Sequence, residues 1–190
     1  MKAIDCVAVA LAFAGATVLS SAWAANEPSP YTGMEGRGIK GLSADEARGL
    51  VAGEGMAQSL PAELNGYPGP RHVRQHADAL GLSAEQRDRA GALEADMQKQ
   101  AAVLGRQVVM LEGALDRLFQ DGKADPAAVE RLSHEIDSKR GALRAVHLRA
   151  HVAMAQALSA EQRARYMALR GYGASDRAPK DVPAGHHRHH

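Results

Sequence analysis

Nine histidines stand in this chain, and their spacing sorts them into groups with different chemical capacity. His72 and His76 are four residues apart, as are His147 and His151. On a helix that interval puts both imidazoles on one face, within reach of a single metal ion. With Glu94 as a carboxylate partner, the four imidazoles make a donor set suited to a divalent transition metal, namely zinc, nickel, cobalt or copper. Met154 lies on the same stripe as His147 and His151 and would favour a softer ion such as copper or nickel. The competing reading is that these residues are ordinary polar positions on the flanks of a helical core. His186, His187, His189 and His190 form a terminal tail, interrupted by Arg188, whose composition binds divalent metals weakly without any fold. The alternative for the tail is a polar chain end with no role. His134, two residues from the apolar Leu132, reads as solvated surface.

Other chemistries find little support. The sequence holds no phosphate-binding glycine loop, no HExxH signature and no defensible Ser-His-Asp arrangement, and its acid pairs are too scattered for glycosidase chemistry. The chain therefore reads as non-enzymatic. A formal net charge of +1 offers no global electrostatic footprint for nucleic acid. The second half is locally basic through Lys139, Arg140, Arg144, Arg149, Arg163, Arg165 and Arg170. That would suit acidic clients, although a charged helix face is usually only solvation.

The elements that must position these residues are helices. Aromatics make up only 4% of the 190 residues, which argues against a sandwich or barrel, and the helix formers Ala, Leu, Arg, Glu and Gln dominate. Residues 1–24 read as a signal peptide: Lys2, an apolar run from Cys6 to Leu19, then small residues at Ala22 and Ala24 that place cleavage after about Ala24. The rival reading is an uncleaved anchor, but the run is short for a membrane span. Such a segment marks the chain for export. Cleavage removes Cys6, so the mature chain has no cysteine and no disulfide. Residues 25–42 are rich in Gly, Pro and Ser and read as a flexible linker. A helical domain is expected over 43–172, and 173–190 is the His-rich tail. Whether the stretch from Ser43 to Glu63 packs on the rest is open at this level.

Three related pentapeptides start helices: Leu42-Ser43-Ala44-Asp45-Glu46, Leu82-Ser83-Ala84-Glu85-Gln86 and Leu158-Ser159-Ala160-Glu161-Gln162. Each is a capping box, in which Ser accepts from the N3 amide and the N3 side chain reaches back to the Ser amide. The residue four past each Ser is Ala47, Arg87 or Arg163, a poor staple for the leading leucine, which is left free to pack on another helix. Between the second and third boxes, Ala101, Leu104, Val108, Leu111, Leu115 and Leu118 recur in steps of three and four. A second stripe holds Val129, Leu132, Ile136, Leu143, Val146, Ala150, Ala153 and Ala157. Asp121-Gly122 ends the first helix, and Asp125-Pro126 begins the next with an N-cap and a proline at N1. Two long helices joined by so short a turn fold back on each other, which predicts an all-α fold built on a long antiparallel helical hairpin (core 83–157) with short flanking helices. At a rise of 1.5 Å per residue, each arm is roughly 50 Å long. With the turn near Gly122, facing residues sum to about 245. That register sets Glu94 opposite His151 and Gln98 opposite His147, and brings the second and third caps together at the open end. The segment Pro70 to Leu80, with its two histidines, enters the long helix at the same end. Met56, Met97, Met110, Met154 and Met167 read as adaptable core filler.

A cysteine-free, exported hairpin with Leu82-Ser83-Ala84-Glu85-Gln86 and Leu158-Ser159-Ala160-Glu161-Gln162 at its two ends resembles the periplasmic Spy/CpxP family, known for its LTxxQ motif. Here Ser83 and Ser159 replace the threonine, and either hydroxyl can cap. The resemblance extends over roughly Pro70 to Tyr172 and includes the ZraP-like and CnrX-like periplasmic heavy-metal sensors. In the CnrX-like sensors an H-x3-H pair precedes the first long helix, a Glu lies in that helix's first turns, and a His and a Met follow four apart near the end of the second. His72, His76, Glu94 and His147 match those positions, with the H-x3-H pair shifted by one residue, and His151 stands where the sensors have methionine. What the resemblance implies is a cradle-shaped homodimer that either binds metal through these residues and reports to a membrane-bound signalling protein, or acts as an ATP-independent holdase for unfolded clients. A plain structural rod, or a hydrolase with unplaced acids, is the remaining option.

Overall fold

The computed structural model describes residues 28–172. The signal peptide expected at 1–24 and the histidine tail at 173–190 lie outside the described residues. After a short 3-10 turn at Met34–Gly36, six helices follow: α1 (Ala44–Ala52), α2 (Leu60–Leu64), α3 (Pro70–Gln75), α4 (Ala84–Gln120), α5 (Pro126–Ala157) and α6 (Ala160–Leu169). Apart from one isolated bridge between Ile39 and Leu42, no extended pairing occurs among the described residues. The fold is all-α.

All three capping boxes close. The hydroxyl of Ser43, Ser83 or Ser159 accepts from the N3 amide at 3.2 Å, and the N3 side chain accepts from the serine amide at 2.8 to 3.1 Å. Two of the four donors that a helix start leaves without partners are satisfied at each site. The hairpin turn follows the same local logic. Gly122 takes φ 64°, Lys123 N donates to Leu118 O at 2.9 Å, and Gly122 N donates to Phe119 O at 3.2 Å, the paired bonds of a Schellman C-cap. Asp125 then caps α5 by accepting from Ala128 N, with Pro126 in its first turn.

α4 and α5 pack along their length as an antiparallel hairpin of 37 and 32 residues. Its core falls into three clusters. Leu111, Leu132 and Ile136 lie nearest the turn, and Ala101, Val108, Leu143 and Val146 fill the middle with Leu42 and Leu50. Met154, Leu158, Ala90 and Tyr166 gather at the open end with Val73, Ala77, Leu80 and Leu82. The leucines that lead the capping boxes, Leu42, Leu82 and Leu158, are all buried against helices other than the one they introduce. Each such burial contributes about 1.5–3 kcal/mol. The two caps at the open end meet through their glutamines: Gln86 Nε2 donates to Gln162 Oε1 at 2.9 Å, and Gln162 Nε2 donates to Gln86 Oε1 at 3.0 Å.

The stretch from Ser43 to Glu63 packs on the hairpin. α1 crosses α4 at Gly105, where a Cβ would stand 1.9 Å from the backbone oxygen of Leu50. Its end at Gly53 also lies against α4, with a Cβ position 2.5 Å from Gln98 O. Part of the expected linker is also engaged, because Ile39 and Leu42 lie on the middle cluster. Of the methionines read as core filler, Met154 is fully buried, whereas Met110 is 62% exposed on the outer side of α4. At the open end, α5 is buried on more than the stripe that faces α4. His147, His151, Met154 and Ala155 are all buried there, because α2 and α3 cover a second side of the helix.

Candidate metal centre

The short helices exist to carry a few side chains over the end of α5. α2 starts after Ser59 with Pro61 in its first turn and holds Glu63 on its inner side. The following turn is rigid: Asn65 Nδ2 donates to Pro61 O at 2.7 Å, Tyr67 N donates to Ala62 O at 3.0 Å, and Pro68 and Pro70 are fully buried. This turn aims the Tyr67 carbonyl at α5, where it meets His151 Nδ1 at 2.7 Å. A carbonyl can only accept, so His151 carries a proton on Nδ1, which leaves Nε2 as the ring nitrogen available to another partner. Pro70 then starts α3, which brings His72 to the same place.

The result is a cavity of about 320 Å³ whose wall includes Glu63, His72, Glu94, Met97, His147 and His151. Four of the five residues singled out for metal from the sequence therefore line one space. The fifth, His76, is the C-cap of α3, half-buried and outside that wall. Met154, proposed as a soft ligand on the same stripe, belongs to the apolar core beneath. His134 is exposed, and its Nε2 stands 3.8 Å from Glu130.

Each lining group has its own electrostatic setting. His147 is 1% exposed, and its Nε2 has no hydrogen-bond partner. Burial, and then the neighbouring His151, hold its pKa below the usual imidazole value, so it is neutral at pH 7 with a lone pair to offer. His72 is also held low, by burial first and by Arg170 next, against an opposing pull from Glu63. Glu94 is engaged by two guanidiniums, Arg74 Nε at 2.7 Å and Arg71 Nε at 3.3 Å. The Arg74 hydrogen bond is the main reason its carboxyl lies below the usual range. These pairs pin α3 to α4.

Glu63 is the residue that sequence reasoning missed. It is 6% exposed, and its Oε1 accepts from Tyr166 Oη at 2.6 Å, Arg170 Nε at 3.2 Å and Tyr172 Oη at 3.3 Å. Burial, and then its bond to Glu63, push the Tyr166 phenol pKa strongly upward, so it stays a donor. Oε2 of the same carboxylate has no hydrogen bond and lies 3.8 Å from His151 Nδ1. Glu63 has no histidine at helical spacing, and the only sequence signal near it is the Asn65-Gly66-Tyr67-Pro68-Gly69-Pro70 turn.

Among the described residues, no three His, Cys, Asp or Glu side chains are already grouped as a metal site. Both carboxylates are engaged elsewhere: Glu94 by Arg71 and Arg74, and Oε1 of Glu63 by Tyr166, Arg170 and Tyr172. The chemistry of the lining still fits a transition metal. Imidazoles and carboxylates line one space, and two buried polar atoms of lining residues, His147 Nε2 and Glu63 Oε2, have no hydrogen-bond partner.

The model of a family described as heavy-metal resistance matches residues 6–165 of this chain. The chain belongs to the heavy-metal resistance family. Comparison with curated proteins and with solved structures gives no match in either case. Among the described residues no helix is long and apolar enough to cross a membrane.

Proposed function

We propose that this member of the heavy-metal resistance family is an exported, periplasmic, non-enzymatic protein that binds a divalent transition metal in the cavity between α5 and the α2–α3 cover. The observation that carries the reading is the convergence of His72, His147 and His151 on that cavity, with the buried Nε2 of His147 lacking any partner. A buried polar atom without a hydrogen bond costs about 1–3 kcal/mol, and coordination would recover that cost. His147 and His151 sit on one face of a rigid helix, and His72 rides on the proline-started α3, so the three imidazoles approach the space from two elements. The bound ion would supply Lewis-acid bonding to these nitrogens. In this reading the protein is a homodimer that reports metal stress to a membrane-bound partner.

Calorimetry tests it. The exported chain carrying His186→Ala, His187→Ala, His189→Ala and His190→Ala removes the tail's contribution. It is expected to bind zinc, nickel, cobalt or copper with Kd below about 100 μM, equivalent to about −5.5 kcal/mol. Adding His147→Ala and His151→Ala should abolish that binding. Absence of binding in the tail-substituted chain refutes the structured site.

A holdase role is the second reading, supported by Val103, Met110 and Phe119, which stand exposed along α4. It predicts suppression of client aggregation by the metal-free protein, with no loss in the His147→Ala and His151→Ala chain.

A further inference from the structure

Two carboxylates line the cavity, one on α2 and one on α4, and they differ in what they can still bind. Glu94 faces Arg71 and Arg74, each with Nε within 3.3 Å. A dication approaching Glu94 would meet two fixed positive charges and would have to displace both. Glu63 divides its oxygens. Oε1 takes all three donors from the α6 side, Tyr166, Arg170 and Tyr172, while Oε2 is buried, unpartnered and turned toward His151. Among the described residues one guanidinium, that of Arg170, pairs with Glu63, and it does so at Oε1.

Gly69 leaves the space beside that free oxygen. A Cβ at this position would stand 3.1 Å from His151 Nε2 and 3.7 Å from Glu63 Oε2. The Cε1–Nε2 edge of the His151 ring, with Cε1 at 3.0 Å from that Cβ position, and the orphaned carboxylate oxygen therefore both border the place a side chain at Gly69 would fill. The Nδ1 bond to Tyr67 O fixes the ring on one side, and the Tyr166 and Arg170 bonds fix the carboxylate on the other. Ligands oriented in this way by outer partners are the usual construction of a metal site.

We propose that Glu63, and not Glu94, is the anionic ligand of this site, acting through Oε2 on the His151 side of the gap left by Gly69; the assignment rests on the metal-binding reading above. Tyr166 and Arg170 are positioning residues, and through them the site is tied to α6.

The test measures Kd for zinc and nickel by calorimetry on the tail-substituted exported chain and three variants of it, with circular dichroism to check the fold. Glu63→Gln keeps the shape and an acceptor for Tyr166, and should weaken binding about tenfold or more, whereas Glu94→Gln should change it by less than about threefold. Gly69→Ala, at a backbone φ of −79° that alanine accepts, fills the gap and should also weaken binding about tenfold. It carries the test alone if Glu63→Gln does not fold. Loss of binding in Glu94→Gln with Glu63→Gln unchanged overturns the assignment while leaving metal binding intact, as does a Gly69→Ala chain that binds like its parent. A parent chain that binds neither metal removes both readings together.

Discussion

The crossing of α1 over α4 supports a sharp stability prediction. Gly105 is buried inside α4, and an alanine Cβ there would stand 1.9 Å from Leu50 O and 2.5 Å from Leu50 C, both backbone atoms that no rotamer change can move. To restore ordinary contact, the end of α1 must retreat by about 1.5 Å, an overpacking that costs about 1–3 kcal/mol. Leu50, only 2% exposed, gives up part of a burial worth about 1.5–3 kcal/mol as it withdraws. The gain in helix propensity from Gly to Ala offsets about 1 kcal/mol. The net expectation for Gly105→Ala is a loss of about 2 kcal/mol, or a fall in Tm of about 4–8 °C for a domain of this size. Gly91, on the same helix, has open space where its Cβ would go. Gly91→Ala should therefore gain about 0.5–1 kcal/mol, with the opposite sign. Thermal melts followed by circular dichroism decide the matter. A Gly105→Ala protein that melts at or above the parent, or a Gly91→Ala protein that falls as far, would refute the reasoning.

The cavity histidines predict acid sensitivity of the metal-free protein. Burial lowers His147 and His72 below 6.5, with His151 acting on the first, and Arg170 and Arg71 acting on the second against Glu63. Above 6.5 these two are neutral in both states and the stability they allow is fully present; as pH falls below that value the unfolded chain takes up protons first, and stability drops until the folded pKa values are passed. Urea midpoints should be lower at about pH 5.5 than at about pH 7.5, and His147→Gln should flatten that difference; an unchanged slope would reject the assignment. The glutamine pair at the open end predicts coupling. Gln86→Ala and Gln162→Ala should each cost about 1–2 kcal/mol, because Gln86 Nε2 also donates to Ala157 O and both glutamines close capping boxes. A double-mutant cycle by denaturant unfolding should give a coupling of about 0.5–1 kcal/mol, and strict additivity would show that the pair carries no shared energy.

The helices of this protein are legible in its sequence because their signals are local. Ser83 with Gln86, Ser159 with Gln162, Gly122 as C-cap and Asp125-Pro126 as start each act within one helical turn, and the apolar stripes declare their own faces. The hairpin follows from its short turn, and its register brings Glu94, His147 and His151 to one end, where they line a single cavity. Periodicity along α5 did not disclose that a second side of the helix would be covered, so the competing reading of His147 and His151 as polar flank positions stayed open, whereas both are buried. Nor could it separate His72 from His76, since α3 ends at Gln75 and carries only the first into the wall. Tertiary structure alone decided which partners each carboxylate meets. Glu94 is neutralised by arginines one helix away, and Glu63 is fixed by a tyrosine 103 residues further along the chain. Such partners are set by the close backbone approach at Gly105 and by the Pro68-Gly69-Pro70 turn, which lay α1, α2 and α3 across the hairpin. Helix starts and faces depend on neighbours within a few residues, whereas the donor set of this cavity depends on where four separate elements cross.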